Sequence, residues 1–266
     1  MTQSRGEEEQ QTMDLAGYIE YTRLKPDTDK VAILKACEQA VEHNFYGVCV
    51  PPYHVNAAHK AINDSKAETK IITVVGFPFG YGRTSAKVEE VKQAIRDGAD
   101  EIDAVINIAA VKSGDYSSVE NDITSMVTTC HMQNKKAKLI FEIGLLNEEE
   151  IAKLCEIAGN IGPDFVKTST GMIPGGVTPE MVGKLRNMLP EKVLIKAAGG
   201  IRNYAQALAL VEAGAARIGT SSGIKIVNQK LNCKHLLELE FTEMQTLKIL
   251  NQIVSTLIII KFAKVL

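Results

Sequence analysis

Two lysines in short β-rich segments are the residues through which this sequence could do chemistry. Lys167 lies in Phe165-Val166-Lys167-Thr168-Ser169-Thr170-Gly171, among aromatic and β-branched neighbours. An ammonium in such a segment is costly to desolvate. Burial lowers its pKa and makes the neutral amine available. The neutral amine attacks a carbonyl to form a Schiff base. Taken alone, such a lysine more often snorkels from a strand end into water. Lys196, in Leu194-Ile195-Lys196-Ala197-Ala198-Gly199-Gly200, shifts that balance. Both lysines face inward in the expected register, and a neighbouring ammonium depresses the pKa of the first still further. Asp103 is the third candidate, in Glu101-Ile102-Asp103-Ala104-Val105-Ile106-Asn107. An interior carboxylate can neutralise one lysine and relay the protons that imine chemistry requires. Glu101 shares its face and is read on its own as a structural ion pair.

These three residues need a scaffold that turns strand ends toward one pocket. Eight β-rich runs alternate with longer amphipathic stretches along the chain. The strands are expected at Tyr18–Thr22, Gly47–Val50, Ile71–Phe77, Glu101–Asn107, Leu139–Gly144, Phe165–Thr170, Leu194–Ala198 and Arg217–Ser221. Helices are expected at Lys30–His43, Ser85–Asp97, Ser117–Gln133, Glu148–Ala158, Pro179–Met188 and Tyr204–Ala213, among others. Strict alternation means βαβ units and a parallel sheet. An eight-fold count points to a closed barrel, and no GxGxxG follows the first strand to suggest a dinucleotide fold. The fold class is therefore α/β, a (β/α)8 TIM barrel in a single domain. Helix signals agree: Gly98 and Gly214 after helix ends, Thr178 before Pro179, and Asn147 before three glutamates.

In such barrels the site lies at the C-terminal ends of the strands, and the loops after strands seven and eight commonly hold phosphate. Here those loops carry Gly199-Gly200 and Gly219-Thr220-Ser221-Ser222-Gly223, with Gly171 after the sixth strand. Cys49, ending the second strand, either lines the pocket or is a small buried apolar residue. Gly76-Phe77-Pro78-Phe79-Gly80 reads as a proline turn, with a lid as the alternative. His54 and His59 are not spaced as a same-face metal pair, and no metal site is read.

Composition bounds the rest. The chain has 266 residues, 45% hydrophobic and 23% charged, with a formal net charge of −2. Basic runs with interleaved aromatics are absent, so nucleic acid is not an expected partner. Cys37, Cys49, Cys130, Cys155 and Cys233 are scattered and form no CxxC pair, as in a reducing compartment. Residues 1–12 are polar and read as a disordered lead without a secretory h-region. The barrel is expected over residues 13–227. The terminal stretch, 228–266, has mixed helical periodicity and follows a barrel already complete. Packing on the barrel exterior, a subunit contact and poor order all remain open for it. Its apolar run Ile253–Ile260 is far short of the ~20 residues of a membrane span. A cytoplasmic protein without a membrane partner is expected.

Five segments together resemble the deoxyribose-phosphate aldolase family. They are Lys167-Thr168-Ser169-Thr170-Gly171, Gly98-Ala99-Asp100-Glu101-Ile102-Asp103, Lys112-Ser113-Gly114-Asp115-Tyr116, Ala198-Gly199-Gly200-Ile201-Arg202 and Arg217-Ile218-Gly219-Thr220-Ser221-Ser222-Gly223. The resemblance spans about Tyr18 to Val227. It implies a class I aldolase that needs no metal or organic cofactor. Such an enzyme reversibly cleaves 2-deoxy-D-ribose 5-phosphate to D-glyceraldehyde 3-phosphate and acetaldehyde in deoxyribonucleotide catabolism. Lys167 would carry the imine, Lys196 would tune it and Asp103 would relay protons. Thr22, Cys49 and Thr170 would contact substrate, and Gly171, Gly199, Gly200, Gly219, Ser221 and Ser222 would hold phosphate. A homodimer is also implied. Departures are visible. The family's Asp-His-Thr reads Glu20-Tyr21-Thr22, which would alter how substrate hydroxyls are held. Its Cys-Val-Asn-Pro reads Cys49-Val50-Pro51-Pro52, Ala197 stands where some members have proline, and no tyrosine follows Tyr204. Two further readings share the barrel: another sugar-phosphate enzyme, such as an isomerase or transaldolase, and a degenerate barrel that only binds a phosphorylated metabolite or protein partner.

Overall fold

The computed structural model describes residues 13–229. The expected lead over 1–12 and nearly all of the extension over 228–266 lie outside the described residues, as does Cys233. Eight strands form a closed parallel barrel in sequential order. They are β1 (Ile19–Thr22), β2 (Gly47–Val50), β3 (Lys70–Val75), β4 (Glu101–Val105), β5 (Lys136–Ile140), β6 (Phe165–Lys167), β7 (Leu194–Ala198) and β8 (Arg217–Thr220). The helices are α1 (Lys30–Glu42), α2 (Val55–Ser65), α3 (Thr84–Arg96), α4 (Ile108–Lys112), α5 (Tyr116–His131), α6 (Glu148–Ile161), α7 (Pro179–Met188) and α8 (Tyr204–Glu212). The chain turns helical again at Gly223, after β8.

The alternation of side chains along each strand separates two environments. One face points to the helices and is apolar: Val48, Ile71, Ile102, Leu139, Val166, Ile195 and Ile218 are each at most 1% exposed. Burial of each such side chain is worth roughly 1.5–3 kcal/mol. The other face points into the barrel, and there charged residues predominate. Register places Glu20 beside Gly219, Asp103 beside Lys138, and Lys167 beside Lys196.

The helix ends follow the expected signals. Asn147 and Glu150 form a reciprocal capping box on α6, and the Thr178 side chain caps α7 with proline in its first turn. Gly98 adopts φ +107, and a Cβ there would lie 2.3 Å from the His59 ring, so glycine is required for α2 to approach.

Several expected strands end earlier than anticipated. β6 stops at Lys167 because the Thr168 hydroxyl replaces the ladder: it donates to Ala198 O at 2.9 Å and accepts the Ala198 N–H at 3.0 Å. β3 stops at Val75, where Gly76 turns the backbone to φ +62. β4 stops at Val105, because the Asn107 side chain caps α4, a helix the sequence reading did not anticipate. β5 is displaced: it begins at Lys136, three residues before the expected Leu139, and ends before Glu142, whose φ of 53° leaves the strand region. The Gly76–Gly80 segment is a turn closed by Gly80 N–H donating to Gly76 O at 2.7 Å.

Candidate active site

The interior carries three lysines and three carboxylates in mutual contact, from six positions on five strands. Asp103 is the hub. Its Oδ2 accepts from Lys167 Nζ at 2.8 Å and from Lys196 Nζ at 2.6 Å, and its Oδ1 accepts from Lys138 Nζ at 2.9 Å. Glu20 Oε2 pairs with Lys196, and Glu20 Oε1 lies 3.4 Å from Lys138 Nζ. Glu101 Oε2 is 2.7 Å from Lys138 Nζ, while its Oε1 accepts from the Tyr46 hydroxyl. Glu20, Asp103, Lys138 and Lys196 have no solvent exposure, and Glu101 and Lys167 have 2% each. All three sequence-derived candidates therefore meet. The expected structural pairing of Glu101 is present as well.

Burial alone would raise the Asp103 carboxyl. The ammoniums of Lys138, Lys167 and Lys196 outweigh it and hold Asp103 well below the usual carboxylate range. Burial pulls Lys196 down, but the Asp103 and Glu20 carboxylates overcome that, and its net pKa is raised. Lys138 is raised further: against burial it faces Asp103, Glu20 and Glu101 together. Lys196 is thus the ammonium that the sequence reading took it for, but it is paired, not unpaired. It is an ammonium held charged between two carboxylates.

A cavity of about 650 Å³ opens above Lys167 at the C-terminal ends of the strands, lined also by the segments after β1, β6, β7 and β8. Thr22, Lys167, Thr170, Gly171, Gly199, Gly200, Gly219 and Ser221 line it. Asp103 and Lys196 are fully buried and absent from its wall. Ser222 is absent too, and its amide is taken by the Thr220 hydroxyl at 2.9 Å. Gly219 serves a second purpose: a Cβ there would meet Lys196 Cε at 3.1 Å, so its bare backbone makes room for the lysine stem. Cys49 has no exposure, and burial pushes its thiol up to about 11. It packs with Ile72, Val74, Leu24 and Phe77 and is absent from the cavity wall, which favours the small-apolar reading over the pocket-lining one.

Sequence reasoning missed four contributors. Lys138 was lost with the misplaced start of β5, although its two-residue spacing from Lys136 and Ile140 places it on one face with them. Glu20 was assigned to substrate hydroxyls, whereas it pairs with lysines inside the barrel. Arg23 and Arg202 line the cavity, and Arg23 also donates to Ser221 O at 3.0 Å across the β1–β8 seam. Arg202 ends one of the five family-like segments but was given no role, and nothing in the local sequence distinguished Arg23 from an ordinary surface arginine. Among the described residues, no cluster of three or more His, Cys, Asp or Glu could hold a metal ion, and no helix is long and apolar enough to cross a membrane.

A lysine with a single carboxylate partner, beneath a cavity of this size at the top of a parallel barrel, points to an enzyme of the aldolase class. Comparison with known proteins narrows this. Residues 12–229 match the DeoC/LacD family aldolase model, and the chain belongs to that family. A deoxyribose-phosphate aldolase of Thermococcus gammatolerans is 49% identical over 222 residues, covering 84% of this chain and 99% of the relative. Among solved structures, the aldolase QR15 superposes with a TM-score of 0.78 at 40% identity, covering 85% of this chain and 99% of that one. A tetrameric deoxyribose phosphate aldolase from Aeropyrum pernix gives 0.74 at 28% identity, covering 80% and 89%.

Proposed function

We propose that this chain reversibly cleaves 2-deoxy-D-ribose 5-phosphate to D-glyceraldehyde 3-phosphate and acetaldehyde through an imine on Lys167. The observation that carries the reading is the shared Asp103 Oδ2, which holds Lys167 and Lys196 at 2.8 and 2.6 Å beneath a cavity ringed by glycine and serine loops. The names of the relatives support the substrate.

The chemistry follows from charge. The neutral Lys167 amine adds to the C1 aldehyde, and the carbinolamine loses water to give an iminium. Among the buried groups, three carboxylates face the ammoniums of Lys138 and Lys196, and the Asp103 carboxylate lies against the Lys167 nitrogen, so a cation on Lys167 is favoured there. The iminium restores the cation that deprotonation removed, and preorganised charge of this kind stabilises it. The iminium then draws the C2–C3 bonding electrons toward nitrogen. The C3 hydroxyl gives up its proton, glyceraldehyde 3-phosphate leaves, and an enamine remains. Protonation at C2 and hydrolysis release acetaldehyde and regenerate the amine. Asp103, with Lys196 as charged partner, is the proton relay. The 5-phosphate is assigned to the loops carrying Gly171, Gly199, Gly200 and Ser221. The Ser222 amide is engaged by the Thr220 hydroxyl, so the role assigned to Ser222 would fall to its side chain.

The binding-only alternative is not favoured, since the chain belongs to an aldolase family with its interior lysines and aspartate in contact. A homodimer in the cytoplasm completes the reading, and a sizing measurement separates it from the tetramer of the A. pernix relative. The activity is tested by incubating the purified chain with 2-deoxy-D-ribose 5-phosphate and measuring acetaldehyde release. Turnover is expected, and a folded chain that releases none contradicts the reading.

A further inference from the structure

Glu142 is a buried carboxylate that the mechanism above leaves without a task. It lies just past β5, 2% exposed, with φ 53 and ψ 59. A non-glycine residue holds that left-handed conformation against steric resistance, and only where its surroundings over-determine it. The surroundings here are the end of the strand that carries Lys167. Phe141 N–H donates to Lys167 O at 3.0 Å and Ile143 N–H to Thr168 O at 2.9 Å, so Glu142 is bracketed by two bonds to β6 and its continuation. Its Oε2 accepts the Thr170 N–H at 3.0 Å and also the Thr170 hydroxyl. The same hydroxyl oxygen accepts the Met172 N–H at 3.1 Å.

Thr170, Gly171 and Met172 all line the cavity. The Thr170 hydroxyl proton and amide proton are both committed to Glu142, so neither is left to donate to substrate. Thr170 is a link in this chain of bonds, and it donates to Glu142. A charge-assisted anchor from behind fixes the turn while a neutral threonine separates the carboxylate from the phosphate.

We propose that Glu142 is a positioning residue that presets the Thr170–Met172 turn to receive the phosphate of the substrate. This deepens the aldolase reading and rests on it for the identity of the anion. Left-handed backbone strain at a site commonly marks such a role.

Three variants separate the carboxylate from the strain. Glu142→Ala removes the anchor and keeps the strain. Glu142→Gly removes both. Glu142→Gln keeps an oxygen that can accept both Thr170 donors. Two readouts are needed: calorimetric binding of inorganic phosphate, and the rate at which acetaldehyde and borohydride modify Lys167. Glu142→Ala and Glu142→Gly are expected to weaken phosphate binding at least tenfold, with acetaldehyde trapping within about twofold of the unmodified chain. Glu142→Gln is expected to bind phosphate within about threefold, and Glu142→Gly to melt above Glu142→Ala. Unchanged phosphate affinity in both truncating variants, an unmodified chain that binds no phosphate, or an equal loss of both readouts overturns the inference. Failure of the unmodified chain to form the Lys167 adduct, with phosphate affinity still dependent on Glu142, overturns the aldolase reading instead.

Discussion

Two buried lysines on different sides of the barrel wall show how surroundings decide what a lysine can do. Lys87, on α3, is fully buried between the barrel and its helical layer. Its ammonium donates to Gly80 O at 3.0 Å, Val105 O at 3.1 Å and Asp122 Oδ2, which uses all three of its protons. Lys167, inside the barrel, is equally buried but has one acceptor among the described residues, Asp103 Oδ2, and it shares that oxygen with Lys196. Lys167 lines the cavity of about 650 Å³ at the strand ends, whose wall does not include Lys87. A saturated ammonium is a clamp. A lysine held by one shared acceptor beside space for a carbonyl can act as a nucleophile once its proton has left.

The comparison is broken most severely by exchanging which lysine is lost. Lys167→Leu should abolish cleavage, by about four orders of magnitude or more, as loss of a covalent nucleophile does. It should leave a folded protein, because Asp103 keeps Lys138 and Lys196. Acetaldehyde release and urea unfolding, measured together, check both halves. Asp103→Asn comes next. It should lower turnover by about 10²–10⁴-fold and also destabilise the fold by several kcal/mol, because it leaves three interior ammoniums facing two carboxylates. Lys87→Met reverses the pattern. Asp122 would remain as an uncompensated buried charge, at a cost of about 3–5 kcal/mol, while the imine site stays assembled. A variant that melts early yet retains the Lys167 adduct supports the contrast. One that is stable but inert contradicts it.

The smallest effect is in pH dependence, and its sign differs between the two regions. Asp103 is depressed, so its stabilisation is complete above the ordinary carboxylate value of about 3.9 and is lost as pH falls through its lower folded value. Lys138 and Lys196 are raised. Their stabilisation is complete below about 10.4 and is lost as pH rises through their higher folded values. For Lys87, burial outweighs Asp122 and the pKa is lowered. The unfolded chain then binds more protons there, so its contribution rises with pH up to about 10.4. Urea midpoints measured on either side of neutrality should show the unmodified chain gaining relative to Lys87→Met as pH rises toward 10. The opposite slope would remove the claim that Lys87 is dominated by desolvation.

These environments were unequally legible in the sequence. Lys167, Lys196 and Asp103 stood out because charged residues inside β-branched runs violate the expected pattern, and the eight-fold alternation placed them at one barrel end. The Lys167–Lys196 adjacency was predictable because both sit at the third position of their strands. Lys138 escaped because Lys136-Ala137-Lys138 looks like a polar approach to a strand, not its first half. Only the closed sheet, with Asp103 beside it, turns that lysine inward. Glu20 looked like a longer substitute for a substrate-binding aspartate, yet its extra methylene belongs to a side chain that ends on Lys196 and Lys138. Glu142 was placed inside a strand because its neighbours are apolar. Its left-handed backbone depends on bonds to β6, which no local pattern encodes. Local propensity found the elements, and the charge network between them needed the register.

The most direct test of the central claim is borohydride trapping. The purified chain is incubated with 2-deoxy-D-ribose 5-phosphate and sodium borohydride, and the modified residue is located by peptide mass. The account predicts a stable reduced adduct on Lys167 and none on Lys87, Lys138 or Lys196. A folded chain without an adduct, or with the adduct on a different lysine, would contradict it.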